Sequence, residues 1–256
     1  MNIALLNRPT LALEQCELTF IGREPIQFET AIRQHAAYAE AIQRAGVQVK
    51  IFEANQTSPD AVFVEDVAVI LDEVAIMTSM GSPSRRNEIP GMAEIIMGFR
   101  KVRHISLPAT IEGGDVLKVG KTLYVGETSR TNGAGITALG DIVRPYGYCV
   151  VPVKVHGCLH LKTCITALND DLFIRNPAWL DSSPFEDFTL IDVAENEPWG
   201  ANVLRIGDNL LVNAALPHSA DLIESLGFKT ERVDISEFSK AEAGLTCMSL
   251  IFKKDV

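Results

Sequence analysis

The hydrophobic positions of the chain fall into many short runs, which predict β-strands rather than long helices. Residues 3–6, 47–52, 61–71 and 74–78 are rich in Val, Ile and Phe, which favour strands. Four other segments place apolar residues three or four positions apart, as amphipathic helices do: 30–45, 88–99, 131–144 and 220–226. The alternation of the two patterns predicts an α/β protein.

A weak internal repeat organises these elements. Two apolar runs separated by a short turn, the pattern of a β-hairpin, occur at 67–77, 116–125, 164–174 and 203–212. Residues 248–251 match the first half of a fifth copy. The position just before each copy recurs at intervals of 39 to 49 residues, which indicates that one structural unit is repeated.

Five copies of a hairpin with a helix predict a ring, so we expect a five-bladed α/β propeller with pseudo-fivefold symmetry. The strand at residues 2–6 would complete the fifth hairpin and close the ring, which removes exposed sheet edges. An open α/β sheet with similar hairpins is the alternative. The irregular segment 177–198 is interpreted as a loop, and nothing in it marks a domain boundary.

Composition narrows the class of protein. The 256 residues carry a net charge of −10, whereas a nucleic-acid-binding protein normally has a basic excess. The five cysteines are odd in number and form no CxxC pair, which argues against a disulfide scaffold or a zinc ribbon. No signal peptide and no membrane-spanning run is recognisable, so we expect a cytoplasmic protein without a nucleic-acid or membrane partner.

A ring would direct the entrances of the hairpins toward one central channel. These entrances carry Asp66, Glu112, His160 and Cys247, so carboxylates, an imidazole and a thiol are expected to meet there. A thiol attacks as its thiolate, which needs a nearby cation, and an imidazole can serve beside it as general acid and base. A carboxylate in such a channel would pair well with a planar guanidinium.

Taken alone, each residue also has an ordinary structural interpretation. Cys247 lies in an apolar, strand-like context, where a buried structural thiol is the commoner role. His160 could be a satisfied residue at a strand edge, and Glu112 a solvated turn residue. No metal-ligand spacing and no phosphate-binding glycine loop stands out, so we expect neither a metal nor a cofactor.

Six motifs resemble, in the same order, those of the dimethylarginine dimethylaminohydrolases of the amidinotransferase or pentein superfamily. They are SPDAVFVED (58–66), SRRNE (84–88), IEGGD (111–115), GETSRTN (126–132), LHLKT (159–163) and CMSL (247–250). The resemblance covers essentially the whole chain and implies a single catalytic domain, residues 1–256, without metal or cofactor. It implies hydrolysis of Nω-methylated arginine, a small cationic amino acid, to citrulline and methylamine or dimethylamine. It leaves open whether the protein is a homodimer.

The resemblance also implies a role for each residue near the reacting group. Cys247 would be the nucleophile, and attack on the guanidinium carbon would give a covalent thiouronium intermediate. His160 would be the general acid and base, with Glu112 as its carboxylate partner. Asp66 would bind the guanidinium, and Glu65 would help to shape its pocket.

The remaining implied contacts hold the amino-acid end of the substrate. Arg85 and Arg130 would bind the α-carboxylate. Asp60 and the backbone of Leu18 would lie near the α-amine, and residues 15–22 around Leu18 would form a mobile lid. Two further positions would line the pocket, one by its side chain and one by its backbone: Phe63 and Ala241.

Other functions stay open at this stage. Among enzymes, the alternatives are an arginine deiminase-like reaction on unmethylated arginine, hydrolysis of another substituted guanidine, and transfer of the amidine group to an acceptor other than water. A different class is a non-catalytic propeller, such as the ribosome-associated translation initiation factors of this architecture. Such a binding protein would not need cysteine, histidine and glutamate together.

Overall fold

Fifteen short strands form five separate three-stranded sheets in the computed structural model, which describes residues 1–254. The strands are β1 (Asn2–Asn7), β2 (Gln48–Phe52), β3 (Ala68–Ile70), β4 (Ala75–Met77), β5 (Val102–His104), β6 (Val116–Val119), β7 (Thr122–Glu127), β8 (Cys149–Lys154), β9 (Ile165–Ala167), β10 (Leu172–Arg175), β11 (Thr189–Asp192), β12 (Leu204–Ile206), β13 (Asn209–Asn213), β14 (Lys229–Val233) and β15 (Leu250–Lys253). The α-helices are α1 (Phe28–Arg44), α2 (Glu88–Met97), α3 (Gly133–Val143), α4 (Leu161–Cys164), α5 (Pro217–Ser225) and α6 (Ser236–Ser239).

Every sheet follows the same plan. Two strands form an antiparallel hairpin, and a third strand then pairs in parallel with the second strand of that hairpin. In four sheets a long helix precedes the third strand: α1, α2, α3 and α5. In the sheet β9–β10–β11 this connection holds only the single 3₁₀ turn Ser183–Phe185. Five units of one design confirm the predicted five-bladed α/β propeller.

The two ends of the chain meet in one sheet. Strand β15 pairs antiparallel with β1, so that Leu250 lies opposite Leu5 and Lys253 opposite Asn2. The C-terminal strand therefore completes a hairpin with the N-terminal strand, as the repeat pattern predicted. Because the same sheet continues through β2, the two ends of the chain together form the fifth blade and the ring is closed.

The prediction that residues 61–71 form one strand was wrong for most of that run. Only Ala68–Ile70 is a strand, and Val64–Val67 forms a 3₁₀ turn whose four residues are all buried. Cys247 likewise lies in a 3₁₀ turn, Thr246–Met248, and not in a strand. Apolar composition reports burial, which these turns share with strands, and burial alone does not distinguish the two.

Two further expectations need correction for similar reasons. His160 does not lie at the mouth of a strand, because it immediately precedes the one-turn helix α4. The segment 177–198 is not entirely a loop, since strand β11 within it pairs in parallel with β10. Prolines and acidic residues surround that edge strand and conceal its short apolar run.

Helix α1 packs behind the turn that carries Cys247. Its residue Tyr38 is fully buried in a cluster that includes Phe238, Leu245 and Met248. The Tyr38 hydroxyl donates to the carbonyl oxygen of Leu245 at 2.7 Å and lies 2.8 Å from Ser249 Oγ. These bonds fix the backbone on both sides of the Cys247 turn. No helix within residues 1–254 is long and apolar enough to cross a membrane.

We expect Tyr38→Phe to lower the free energy of unfolding by about 1–3 kcal/mol, because it leaves buried polar partners without their hydrogen bond. Urea unfolding followed by circular dichroism measures the change. Tyr124→Phe is the matched control, since the Tyr124 hydroxyl makes no hydrogen bond within the described part of the chain. An equal loss in both variants would contradict the proposed role of the Tyr38 hydroxyl.

Candidate active site

Short helical turns at the hairpin entrances bring the candidate residues to one mouth of the ring. The turns are Val64–Val67, Gly113–Asp115, Leu161–Cys164 and Thr246–Met248. A cavity of about 20 Å³ at this mouth is lined by eight of the eleven residues chosen from the sequence: Asp60, Phe63, Asp66, Arg85, Arg130, His160, Ala241 and Cys247. Such a space holds about one water molecule, so the site is closed in this structure.

Two glycines allow the turns to approach one another. A Cβ on Gly113 would lie 1.9 Å from the carbonyl oxygen of Glu65, and a Cβ on Gly114 would lie 2.6 Å from His160 Nδ1. Neither position has room for a side chain. The glycine pair therefore serves close packing between the candidate residues, and only glycine fits at these points.

His160 and Glu112 form a buried pair. The His160 Nε2 atom lies 2.8 Å from Glu112 Oε2, and neither side chain is more than 4% exposed. The other Glu112 oxygen accepts the backbone N–H of Gly81 at 3.0 Å and lies 3.6 Å from Arg130 Nη1. Burial disfavours the Glu112 carboxylate, but its hydrogen bond to His160 and the nearby cations lower the pKa of Glu112 to about 2.

The imidazole of His160 is charged at neutral pH. Burial lowers its pKa, but the negative charges of Asp66, Asp115 and Glu112 outweigh burial and raise the pKa to about 9. Since Nε2 faces Glu112, the second nitrogen, Nδ1, is the one left for chemistry, and it lies 3.8 Å from Asp66 Oδ1. The site therefore holds a proton that it can donate.

Cys247 is a neutral thiol in this arrangement. Burial raises the pKa of Cys247 well above its ordinary value, and the charges of Glu65 and Asp66 raise it further. A backbone N–H from Gly244 lies 3.4 Å from the sulfur, and this single donor opposes the increase only weakly. The thiolate needs additional positive charge close to the sulfur.

Arg85 is held between two carboxylates. Its Nη1 donates to Asp66 Oδ2 at 2.6 Å, and its Nη2 donates to Glu88 Oε2 at 2.9 Å. Burial disfavours the guanidinium, but the charges of Glu88, Asp66 and Asp60 raise the pKa of Arg85 well above its ordinary value. Nη1 carries two hydrogens and has one acceptor within residues 1–254, so its second N–H remains for a ligand.

Glu65 lies one layer below the cavity. Its carboxylate accepts from Lys162 Nζ at 2.5 Å and from Thr246 Oγ1 at 2.7 Å. These three residues also line a cavity of about 490 Å³ that opens on the other side of the ion pair. The Glu65–Lys162 pair thus lines this larger space and not the small cavity that Cys247 lines.

The segment 15–22 covers the cavity, and carboxylates hold its backbone. The N–H of Glu17 lies 3.2 Å from both oxygens of Asp60. The N–H groups of Thr19 and Phe20 donate to the Glu242 carboxylate at 2.7 and 2.9 Å. Arg130 Nη2 donates to Thr19 Oγ1 at 3.2 Å. Leu18 does not line the cavity, and its side chain packs against the core beneath the segment.

Sequence reasoning missed four residues that organise the site. Glu88 neutralises Arg85, Lys162 pairs with Glu65, and Glu242 holds the covering segment. Asp115 accepts the backbone N–H of Leu161 at 2.9 Å and hydrogen bonds from two threonine hydroxyls, which orients the turn after His160. Only Glu88 had a usable signal, because Arg85 and Glu88 are three residues apart next to a helix start.

Three potential metal ligands lie together among residues 1–254. Oxygen and nitrogen atoms of Asp66, Glu112 and His160 are within 4.8 Å of one another. All three groups are already engaged, since Glu112 pairs with His160 and Asp66 pairs with Arg85. A metal ion at this point would have to displace these partners.

Comparison with known proteins indicates that most of the chain shares a common origin with proteins of one family. A family model described as "N,N dimethylarginine dimethylhydrolase, eukaryotic" matches residues 12–183. The chain is 38% identical to the N(G),N(G)-dimethylarginine dimethylaminohydrolase of Streptomyces coelicolor, over 96% of this chain and 95% of that protein. It is 33% identical to the protein of the same name from Pseudomonas aeruginosa, over 88% of this chain and 89% of that one.

Solved structures agree with this relationship. A P. aeruginosa dimethylarginine dimethylaminohydrolase, a cysteine-to-serine mutant complexed with citrulline, matches with a TM-score of 0.92 and 31% identity over 97% of this chain and 98% of that chain. The N-terminal domain of ArgZ, an arginine dihydrolase from cyanobacteria, shares the fold with a TM-score of 0.84 at 18% identity. The fold and the site define a pentein-type hydrolase of guanidino groups. Within this class, the chain belongs to the dimethylarginine dimethylaminohydrolase family.

The charged state of His160 makes stability depend on pH. Its pKa rises from 6.5 to about 9 on folding, so the stabilisation is fully present below pH 6.5 and is lost as the pH rises through 9. We expect the free energy of unfolding to fall by roughly 3 kcal/mol across this window. Urea unfolding at several pH values measures the fall, and in His160→Gln it should largely disappear. An unchanged pH profile in that variant would contradict the assignment.

The negative charges around Cys247 predict the titration of its thiol. We expect a midpoint above the ordinary value of 9.0, measured as the ultraviolet difference between the protein and Cys247→Ser. Asp66→Asn should lower this midpoint by roughly one unit, because it removes a negative charge near the thiolate, whereas the positive charge of Arg85 remains. The exposed Asp187→Asn is the control and should leave the midpoint unchanged. An equal midpoint in both variants would exclude Asp66 as a cause.

Proposed function

We propose that the protein hydrolyses Nω-methylated arginine to citrulline and methylamine or dimethylamine, and that the chain acts as one catalytic domain. The observation that carries this proposal is a single small cavity lined by the Cys247 thiol, the His160 imidazole and the carboxylates of Asp60 and Asp66. A cation is needed to form the thiolate, and a methylated guanidinium is itself such a cation. The substrate therefore completes a site that is inactive without it.

Binding is the first step. The guanidinium enters between Cys247 and the carboxylates of Asp66 and Glu112. It occupies the small cavity and brings a positive charge into it. The positive charge of the guanidinium next to the sulfur favours ionisation of the Cys247 thiol, and the proton of the thiol passes to solvent. Glu65 lies beneath, and its pair with Lys162 fixes the depth to which the guanidinium can enter.

The other end of the substrate is bound by charges of both signs. Arg130 and the remaining N–H of Arg85 bind the α-carboxylate. Asp60 and the backbone of Leu18 bind the α-amine, in place of the Glu17 N–H that Asp60 now accepts. Phe63 and the Ala241 backbone line the path of the alkyl chain, because both positions line the cavity.

The chemical steps use one nucleophile and one proton carrier. The Cys247 thiolate attacks the guanidinium carbon and forms a C–S bond, which gives a tetrahedral adduct. His160 donates its proton to the departing nitrogen, the C–N bond breaks, and methylamine or dimethylamine leaves a thiouronium bound to Cys247. Glu112 keeps the imidazole oriented throughout, since its hydrogen bond occupies Nε2.

Water completes the reaction. The neutral imidazole accepts a proton from a water molecule as its oxygen forms a bond to the thiouronium carbon. The C–S bond then breaks, and the second proton of the water passes from the new hydroxyl group to the departing sulfur. This step leaves citrulline and restores the Cys247 thiol, while His160 is again charged. The His160 imidazole thus donates one proton to the departing amine and recovers one from water.

The test is citrulline release from arginine, monomethylarginine and asymmetric dimethylarginine at neutral pH. We expect turnover of the methylated substrates and at least a roughly thousandfold lower rate in Cys247→Ser, because the nucleophile is removed. The Asp187→Asn variant, a substitution at an exposed residue, is the control and should keep the rate of the natural protein. Faster turnover of plain arginine would favour an arginine deiminase-like reaction. Activity retained in Cys247→Ser would refute the proposed nucleophile.

A further inference from the structure

Glu242 has an unusual backbone conformation for a charged residue. Its φ angle is +61°, in the left-handed region that favours glycine, and its side chain is buried. Asn55 is the other non-glycine residue with positive φ within residues 1–254, and asparagine tolerates this region better than glutamate. Such strain persists where the surrounding structure holds it in place, and it occurs often at functional sites.

The contacts of Glu242 explain what holds this conformation. Each carboxylate oxygen accepts one backbone N–H of the covering segment, from Thr19 at 2.7 Å and from Phe20 at 2.9 Å. These bonds join positions more than 220 residues apart in the sequence. Hydrogen bonds to a charged acceptor are stronger than those between neutral groups, so this pair of bonds is a strong tie between the two segments.

The loop of Glu242 also leads directly to the nucleophile. Glu242 and its neighbours Ala241 and Ala243 line the same cavity as Cys247, and Gly244 donates its N–H toward the sulfur. On its other side this loop borders a second cavity of about 200 Å³, which Ile21 of the covering segment also lines. The segment 15–22 is thus tied to the one loop that both borders the cavity and carries the cysteine.

We propose that Glu242 is a positioning residue that holds the segment 15–22 closed over the substrate through these two hydrogen bonds. The inference rests on the proposed function, because it assigns the closed state to the substrate complex. A cavity of about 20 Å³ does not admit an arginine, so the segment must open for entry and close again for reaction. Glu242 stabilises the closed form and touches no reacting atom.

The first test measures closure without any substrate. Hydrogen–deuterium exchange at the Thr19 and Phe20 amides is compared in the natural protein, Glu242→Gln and Glu242→Gly. Glycine suits the positive φ, so Glu242→Gly removes the carboxylate and keeps the backbone conformation; a folding defect is therefore not expected. We expect roughly tenfold or greater acceleration of exchange in Glu242→Gly and a smaller one in Glu242→Gln, which retains one acceptor oxygen.

Glu197 provides a matched control. Its carboxylate also accepts two consecutive backbone N–H groups, from His218 at 2.9 Å and Ser219 at 2.7 Å, at the start of α5. Glu197→Gln should accelerate exchange at those two amides and leave Thr19 and Phe20 unchanged. Unchanged exchange of the Thr19 and Phe20 amides in Glu242→Gly would overturn the proposal, whatever the activity of the protein.

The second test separates KM from kcat for citrulline release from methylated arginine. We expect KM to rise roughly tenfold in Glu242→Gly with kcat changed less than about threefold, and Glu242→Gln to lie between that variant and the natural protein. Glu197→Gln should leave both constants unchanged. A KM that stays at the natural value while exchange accelerates would overturn the role in substrate binding. If the natural protein releases no citrulline, the proposed function fails, and the exchange result still decides whether Glu242 holds the segment.

Discussion

Buried carboxylates outnumber buried cations at the mouth of the ring, and the rest of the site depends on this imbalance. The carboxylates are Asp60, Glu65, Asp66, Glu88, Glu112 and Asp115, and the cations near them are Arg85, Arg130, Lys162 and His160. A buried charge is tolerated only when a partner compensates it, so the backbone must bring these residues together from distant repeats. The short turns at the hairpin entrances do so, and the excess negative charge leaves the cavity suited to one further cation.

The same negative charges give His160 and Cys247 opposite states: the imidazole is protonated and charged, and the thiol is protonated and neutral. Asp66 raises the pKa of both groups, with Asp115 and Glu112 adding to the effect at His160 and burial and Glu65 adding to it at Cys247, so the imidazole is charged while the thiol is neutral. A neutral ligand would leave both groups as they are. In the function that we propose, a guanidinium brings positive charge to the sulfur, whereas the Glu112 hydrogen bond continues to hold the imidazole. Charge therefore connects substrate choice with activation of the cysteine.

The ring could be predicted from the sequence because two features recur together in the copies: the apolar runs and the short turns between them. The alignment of the repeats also predicted that Cys247, His160 and Glu112 lie near one another. It did not predict the turn Val64–Val67, since a buried 3₁₀ turn and a buried strand have the same apolar composition. Nor did it predict the pairs of Glu65 with Lys162 or of Glu242 with the covering segment, because the partners lie 97 to 223 residues apart in the sequence.

The covering segment is tied to the site in two physically different ways. Asp60 accepts the Glu17 N–H with the same carboxylate that we assign to the substrate amine, so substrate and segment compete for it. Glu242 accepts the N–H groups of Thr19 and Phe20, and neither group is assigned to the substrate, so these bonds and the substrate can coexist. Substrate entry thus replaces one set of bonds and leaves the other free to re-form. Closure over a bound substrate then retains the Glu242 bonds, and a closed segment excludes bulk water from the cavity beneath it.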